Sequence, residues 1–278
     1  MNTRAILLSS ALMLTVVTGC QYEKEPVTYE KTFEKVSVDA SILSTRTSAD
    51  GLSPIWTEGD QVAFITADLE LCPPFEAVSG GSTSTSFSGE KPEGSSLAYA
   101  LYPYDKYASF SKSGIMTYLP SKQDGSFSNA IMVAEGNEAD GFTFMNVCCL
   151  LKLYVPSYLE IEKIEVYRED QVSGDFSVDF DDDELWVHTS SPMSIEDQKA
   201  VIVGDGILSG EYYICVLPSD SKELSIAFTD TSGKVAIVSK PFSTGHSFFS
   251  GAMKDLGTVG GLSFGDAAPI SDPTYSQL

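Results

Sequence analysis

The chain is poor in the residues that do chemistry. Of its 278 residues only His188 and His246 are histidines, and only Trp56 and Trp186 are tryptophans. No G-x-S-x-G, no H-E-x-x-H and no glycine loop with phosphate-cradling spacing occurs, so hydrolase, metalloprotease and nucleotide signatures are missing together. Positive charge is scarce as well: 17 Lys and Arg stand against 39 Asp and Glu, a formal net charge of −22. A field of that sign repels phosphate backbones and anionic bilayers, which excludes nucleic acid as a partner and favours solubility in an extracellular setting. Beyond residue 20 no apolar run approaches the roughly 20 residues of a membrane helix. Hydrophobic residues still make up 42% of the chain, enough to fill a globular core, and the length suits one large or two small domains. His188 falls where an alternating segment meets a Thr/Ser turn, a surface or half-buried position, and Ser79–Ser84 (SGGSTS) reads as a flexible loop. No residue is assigned to catalysis, to a metal or to a cofactor, and the expectation is a protein that is not an enzyme.

The N-terminus carries the strongest local signal. Arg4 precedes an apolar run from Ala5 to Val17, which ends in Val17-Thr18-Gly19-Cys20. A short apolar region behind a basic residue reads as a secretory signal over residues 1–19, too short to span a bilayer. Thr18 and Gly19 directly before Cys20 resemble the lipobox of bacterial lipoproteins. That resemblance implies cleavage before Cys20, diacylglycerol on its thiol and acylation of the new amine. More than one acyl chain is what stable anchoring requires, so lipid at Cys20 would hold the precursor at the outer membrane. Residues 20–35 are polar, charged and without period, and read as a tether.

Four further cysteines, Cys72, Cys148, Cys149 and Cys215, are too sparse for a disulfide scaffold. Adjacent Cys148 and Cys149 point to opposite faces of a strand, which disfavours a bond between them. Buried free thiols are expected, with the disulfide state left open.

From Val36 onward the chain is a series of short alternating segments bounded by Gly, Pro, Ser or Asp. Val36, Val38, Ala40 and Ile42 alternate with Ser37, Asp39 and Ser41. Strands are expected at Gln61–Thr66, Thr85–Gly89, Ser96–Tyr104, Ile115–Leu119 and Ile131–Glu135, and again around Ile164, Phe176–Phe180, Leu185–His188, Ala200–Val203, Tyr212–Leu217, Leu224–Phe228 and Lys234–Ser239. Thr231-Ser232-Gly233 marks a hairpin turn between the last two. Phe142–Val155 is the longest apolar run, and its inward parity changes midway, which a bulge near Cys149–Leu151 or burial on both faces would explain. Ser194–Val203 could hold one or two helical turns. Turn signals at this spacing predict an all-β fold of two tandem β-sandwiches, residues 36–157 and 158–278, the second with a Pro/Ser/Asp-rich tail.

Ser44-Thr45-Arg46 lies behind the lipobox and one strand, followed by Ile55-Trp56-Thr57-Glu58-Gly59-Asp60-Gln61-Val62 and Tyr99-Ala100-Leu101-Tyr102-Pro103-Tyr104. Phe144-Met145-Asn146-Val147 then runs into Leu150-Leu151-Lys152-Leu153; Tyr212-Tyr213-Ile214-Cys215-Val216-Leu217-Pro218 and Phe249-Ser250-Gly251-Ala252 close the series. In order and rough spacing these pieces resemble the fimbrillin (type V pilin) family of anaerobic Gram-negative bacteria, from about Cys20 to Val259. The resemblance implies two transthyretin-like β-sandwich domains and a subunit of a cell-surface pilus or fimbrium, structural or adhesive. It also implies an arginine-specific protease that cuts the N-terminal strand away, and donor-strand exchange with other pilin subunits. The chain is short for a stalk pilin of that family and ends in Phe264–Leu278, which leaves stalk, tip and accessory positions open.

The residues argue for processing in their own right. Behind the signal the chain has two arginines, Arg46 and Arg168. Arg168 ends a strand-like run, whereas Arg46 sits in the polar, turn-forming segment Ser44–Ser53, where nicking concentrates. Cleavage there would give a chain beginning at Thr47. Asp179, Asp181 and Asp183 imitate the first ligands of a calcium loop, but Glu184 stands where that loop needs Gly and Ser190 where it needs Glu, so an acidic hairpin turn is expected. The alternative function is a lipid-anchored glycan-binding protein of a surface nutrient-uptake system, with exposed Trp and Tyr stacking on sugars. Core packing is the simpler role for Trp56.

Overall fold

The alternation is realised as ladder after ladder. The computed structural model describes residues 31–43, 55–111, 114–181, 184–190, 192, 194–221, 223–241 and 248–266. The chain opens with β1 (Phe33–Ile42), β2 (Gln61–Thr66), β3 (Phe75–Ala77), β4 (Ser84–Pro92) and β5 (Leu97–Tyr102). Three short strands follow, β6 (Ser109–Ser111), β7 (Gly114–Leu119) and β8 (Lys122–Gln123), then β9 (Met132–Asn137) and β10 (Gly141–Asn146). The later strands are β11 (Cys149–Val155), β12 (Ile161–Tyr167), β13 (Gly174–Asp181), β14 (Glu184–Thr189) and β15 (Lys199–Leu208). Last come β16 (Gly210–Val216), β17 (Glu223–Asp230), β18 (Val235–Pro241) and β19 (Met253–Thr258). Helix among the described residues is confined to 3-10 turns at Phe127–Asn129 and Ser157–Leu159. The fold is all-β.

Seven strands close into a barrel in the order β1-β10-β9-β5-β2-β3-β4. The remainder form a three-stranded sheet (β16-β11-β19), a five-stranded sheet (β18-β17-β12-β15-β8) and a four-stranded sheet (β14-β13-β7-β6). Hydrogen bonding crosses residue 157, because β7 pairs with β13 (Leu119↔Gly174 through Ile115↔Val178) and β8 with β15. The barrel is filled by aromatics: Trp56, Phe64, Phe75, Phe87, Phe142 and Phe144 are all buried in one cluster. Phe64 meets Phe142 edge-on with ring centroids 4.9 Å apart, an arrangement that the ring quadrupoles favour.

The long apolar run from Phe142 is two strands. β10 belongs to the barrel; the backbone then breaks at Val147, where the Cys148 N–H donates to Asn146 Oδ1 at 2.9 Å, and β11 joins another sheet. Its parity change comes from burial on both faces. Leu151, Leu153 and Val155 fill one apolar cluster, while Cys148 and Leu150 fill another. Cys148 and Cys149 accordingly fall in different clusters. The helical turns allowed for Ser194–Val203 shrink to one turn. Asp197, Gln198 and Lys199 donate to the carbonyls of Ser194, Ile195 and Glu196, after which β15 begins at Lys199. β1 starts at Phe33, inside the segment read as tether. Phe33, Glu34 and Lys35 pair with Pro92, Lys91 and Glu90 while their side chains stay exposed, so no alternation announces them.

On β13, Phe176 and Val178 are buried against the same cluster, whereas Phe180 is half-buried and stacks on Tyr99 with centroids 5.9 Å apart. Replacing Phe176 with Ala is expected to cost about 3–5 kcal/mol, the usual range for a large core aromatic. Urea unfolding checks this; a loss below about 1 kcal/mol would show the face to be poorly packed.

Candidate strand-exchange site

β1 is a strand with one dry face. Val38, Ala40 and Ile42 are buried and Val36 is half-buried, while Ser37 and Asp39 look outward. It pairs antiparallel with β4 from Phe33↔Pro92 to Ser41↔Ser84 and parallel with β10 from Ala40↔Phe142 to Ile42↔Phe144. In the barrel order it lies between these two strands, so closure runs through β1. Two glycines make room at the seam. A Cβ on Gly89, opposite Val36, would sit 2.4 Å from the Phe75 ring. Gly141, with φ +79°, starts β10 so close to β1 that a Cβ would lie 2.7 Å from the Asp39 carbonyl oxygen.

The outer face of β1 is wet. A cleft of about 430 Å³ spans β4, β1 and β10 and is lined by Asp39, Ser41, Thr85, Ser86, Asp140 and Thr143, among others. Across it Ser86 Oγ donates to Asp39 Oδ1 at 2.6 Å. β1 is thus held by its ladders and by one apolar face, which contributes about 4–8 kcal/mol by area. That is comparable with the whole stability of a typical domain, about 5–15 kcal/mol.

An ionic clamp ties the far end of the seam. Lys91 on β4 reaches Glu34 on β1 at 3.2 Å and Glu138, in the turn between β9 and β10, at 3.1 Å, and also donates to the Ser95 carbonyl. Burial alone would pull Lys91 down, but its bonds to Glu138 and Glu34 outweigh this and hold it above the ordinary lysine value. Burial would likewise raise Glu138. The N–H of Leu97 at 3.0 Å, Glu138's own backbone N–H and Lys91 together hold it below the ordinary glutamate value. Sequence reasoning passed over this triad; its one trace is a lone lysine among Glu90, Glu93 and the paired strand ends.

Cys20, Arg46 and Thr47 lie outside the described residues, as do residues 1–19, His246, Asp182, Asp183 and the tail from residue 267. The chain leaves β1 at Leu43, whose N–H donates to the Phe144 carbonyl at 2.8 Å, and is described again from Ile55. Arg168 is fully buried. It pairs with Asp170, its Nη2 donates to the Gln171 and Leu217 carbonyls at 2.6 and 2.9 Å, and its guanidinium lies 4.8 Å from the Phe248 ring centroid.

Trp56 is 1% exposed, with Phe87, Tyr102 and Phe144 edge-on at 5.0–5.3 Å, so it is a core residue; Trp186 is 53% exposed. His188 is on the surface, its Nε2 3.0 Å from Asp179 Oδ2. Among the described residues no three His, Cys, Asp or Glu side chains gather as a metal site. Cys72, Cys148, Cys149 and Cys215 are free and buried. Burial pushes the Cys72 thiol up to about 11 and Cys149 up to about 12, and a bond with Cys148 together with burial raises Cys215, so Cys72, Cys149 and Cys215 are poor nucleophiles at neutral pH.

No protein-family profile matches the chain, and no curated protein matches it in sequence. Solved structures are similar to it. A "putative cell adhesion protein" from Bacteroides ovatus is similar with a TM-score of 0.51 at 10% identity, over 86% of this chain and 97% of its own. Another "putative cell adhesion protein", from Bacteroides uniformis, gives 0.49 at 13% identity over 83% and 95%. The tip fimbrial protein Mfa3 of Porphyromonas gingivalis, truncated at its C-terminus, gives 0.41 at 9% identity over 84% and 99%. The neighbours carry the names of adhesion and fimbrial proteins.

The clamp sets a pH dependence. A carboxylate held low stabilises the fold above its unfolded pKa of about 4.3, and that stability is lost as pH falls through the lower folded value. Lys91, held high, contributes at every pH below its unfolded pKa of about 10.4 and loses effect only as pH rises through its higher folded value. Lys91→Met should therefore lower the urea midpoint at pH 7 and flatten the acid decline between pH 5 and pH 3. Parallel pH profiles for the two proteins would show that the triad does not act on the seam.

Proposed function

We propose that this chain is a structural or adhesive subunit of a cell-surface pilus, exported as a lipoprotein through Cys20 and assembled by strand exchange after proteolysis between Arg46 and Thr47, with no enzymatic role. The observation that carries the proposal is the place of β1, the strand through which the barrel closes, immediately before the segment that holds Arg46. Cutting there would free β1 from the rest of the chain and expose two ladder edges, on β4 and β10. Unpaired edges seek another strand, and β-augmentation by a neighbouring subunit would supply the driving force for assembly. The fold shared with the Bacteroides ovatus cell adhesion structure supports an adhesive setting. The burial of Arg168 supports the choice of site, because a protease cannot draw that backbone into its cleft without unfolding the core.

The architecture that goes with this reading is a pair of tandem transthyretin-like sandwiches. The barrel with its own aromatic cluster would be the first, and β11–β19 the body of the second, with Ser109–Gln123 lent to the second by pairing with β13 and β15.

Treating the folded chain with an arginine-specific protease should produce a single new N-terminus at Thr47, and Arg46→Ala should block both the cut and polymer formation in cells. Polymers built by the Arg46→Ala variant would sink the exchange mechanism. Separately, Cys20→Ala should move the protein from the membrane fraction to the soluble one; a variant that stays with the membrane would overturn the lipoprotein assignment.

A further inference from the structure

A second cavity, again about 430 Å³, opens where the loop after β5, strand β7 and the 3-10 turn Phe127–Asn129 meet. That volume lies within the roughly 300–1,000 Å³ of small-ligand sites. Tyr104, Tyr107 and Tyr118 line it together with Asp105, Thr117 and Asn129. Tyr107 is 82% exposed, with Lys106 Nζ 4.8 Å from its ring centroid, and Tyr118 is 50% exposed. Asp105 is the one charged residue among those lining the cavity. It is held in place by the Tyr107 N–H at 2.8 Å and by Thr117 Oγ1 at 3.5 Å. Asn129 is fixed by donating its amide to Asp124 at 2.9 Å.

This set of groups selects its ligand by donor and acceptor. An ionised carboxylate only accepts hydrogen bonds, and with about four lone-pair sites Asp105 has capacity beyond its two contacts. A ligand that presents hydroxyl donors satisfies it. An extended peptide alternates each N–H donor with a carbonyl that Asp105 repels, whereas a pyranose offers several hydroxyl donors from one ring, and a hydrocarbon would leave Asp105 desolvated with its remaining acceptor capacity unused. Anions are opposed both by Asp105 and by the net charge of −22. Tyrosine offers a flat apolar face with a polar tip, the complement of a pyranose ring, which carries an apolar C–H face and a rim of hydroxyls.

We propose that this cavity is a binding site for one neutral sugar residue of a glycan. The sheet beside it extends the track. Met116 and Tyr118 face outward from β7, and across the β7·β13·β14 ladders so does Trp186, which pairs with Asp179; Met116 and Trp186 are 52% and 53% exposed. Further sugar residues leaving the pocket past Tyr118 would lie over Met116 and then Trp186.

The inference goes beyond the pilus reading and fails separately from it, since neither Cys20 nor Arg46 contributes to the cavity. The experiment titrates the full chain in detergent with methyl glycosides of glucose, galactose, mannose, fucose and N-acetylglucosamine, with N-acetylneuraminic acid as the anionic control, using saturation-transfer NMR. At least one neutral glycoside should bind and the anionic sugar should not. Tyr107→Ala should weaken that binding about tenfold at an unchanged melting temperature, because its ring is largely exposed. Trp186→Ala should weaken an oligosaccharide of the same sugar and leave the monosaccharide unaffected. Absence of binding by all five neutral glycosides, equal binding of the anionic sugar, or affinity that survives both Tyr107→Ala and Asp105→Asn would overturn the proposal.

Discussion

The structure turns on the seam that β1 makes between β4 and β10. A closed barrel is the one arrangement of strands with no unpaired edge, and it forfeits that property when any one strand is lost. Here the strand in question is also the first of the barrel in sequence. Its parallel pairing with β10 and antiparallel pairing with β4 mean that two ladders of opposite sense depend on the same ten residues. The other barrel strands each have further ladder strands on both sides in sequence, so a single cut frees none of them alone.

The division of volume inside the barrel bears on what β1 contributes. The large side chains come from the other strands and from Trp56: Phe64, Phe75, Phe87, Phe142 and Phe144 interlock in edge-on and tilted pairs. β1 adds Val38, Ala40 and Ile42, small and medium residues at alternate positions. A substitute strand therefore needs only modest apolar residues at a period of two and no aromatic of matched shape. Aromatic packing fixes a rigid receptor, and the closing strand supplies ladder bonds plus a generic apolar stripe. Register in such a groove would be set by Gly89 and Gly141, which tolerate close approach of backbone or ring at defined points along β1.

Period-two alternation made β1, β7 and β13 legible because each has one wetter face and one dry face, whereas β2 and β17, buried on both faces, were legible as short apolar runs between turn formers. Where burial is two-sided the alternation itself carries no register. Leu150 and Leu151 are both buried, and only the contacts distinguish the break at Val147 from a bulge. Short strands such as β6 and β8 hold too few residues for a period, and β8 pairs with β15, which is remote in sequence. The pairing of β7 with β13 lies in no local pattern at all. Trp56 was legible as core through the segment Ile55–Val62 that resembles fimbrillins, and not through its neighbours, since Ile55 beside it is exposed. The Lys91 triad was not, since Glu34, Lys91 and Glu138 are 57 and 47 residues apart and meet only through the seam.

The scarcity of arginine acquires a physical sense once burial is known. An arginine-specific protease recognises a side chain in an extended backbone, and every surface arginine is a potential site. Behind the signal the chain has two, and the core takes one of them out of reach. Arg168 contributes packing over Phe248 and donors to two carbonyls, uses that lysine with its compact head would not serve as well. Elsewhere the cationic positions at ladder ends and on strand faces are lysines, such as Lys91, Lys152, Lys163 and Lys199, each paired with a glutamate. Lysine gives these sites their charge without offering a guanidinium to a protease. Under the proposed processing, the burial of Arg168 would leave Arg46, just after the barrel's closing strand in sequence, as the arginine behind the signal that such a protease could reach.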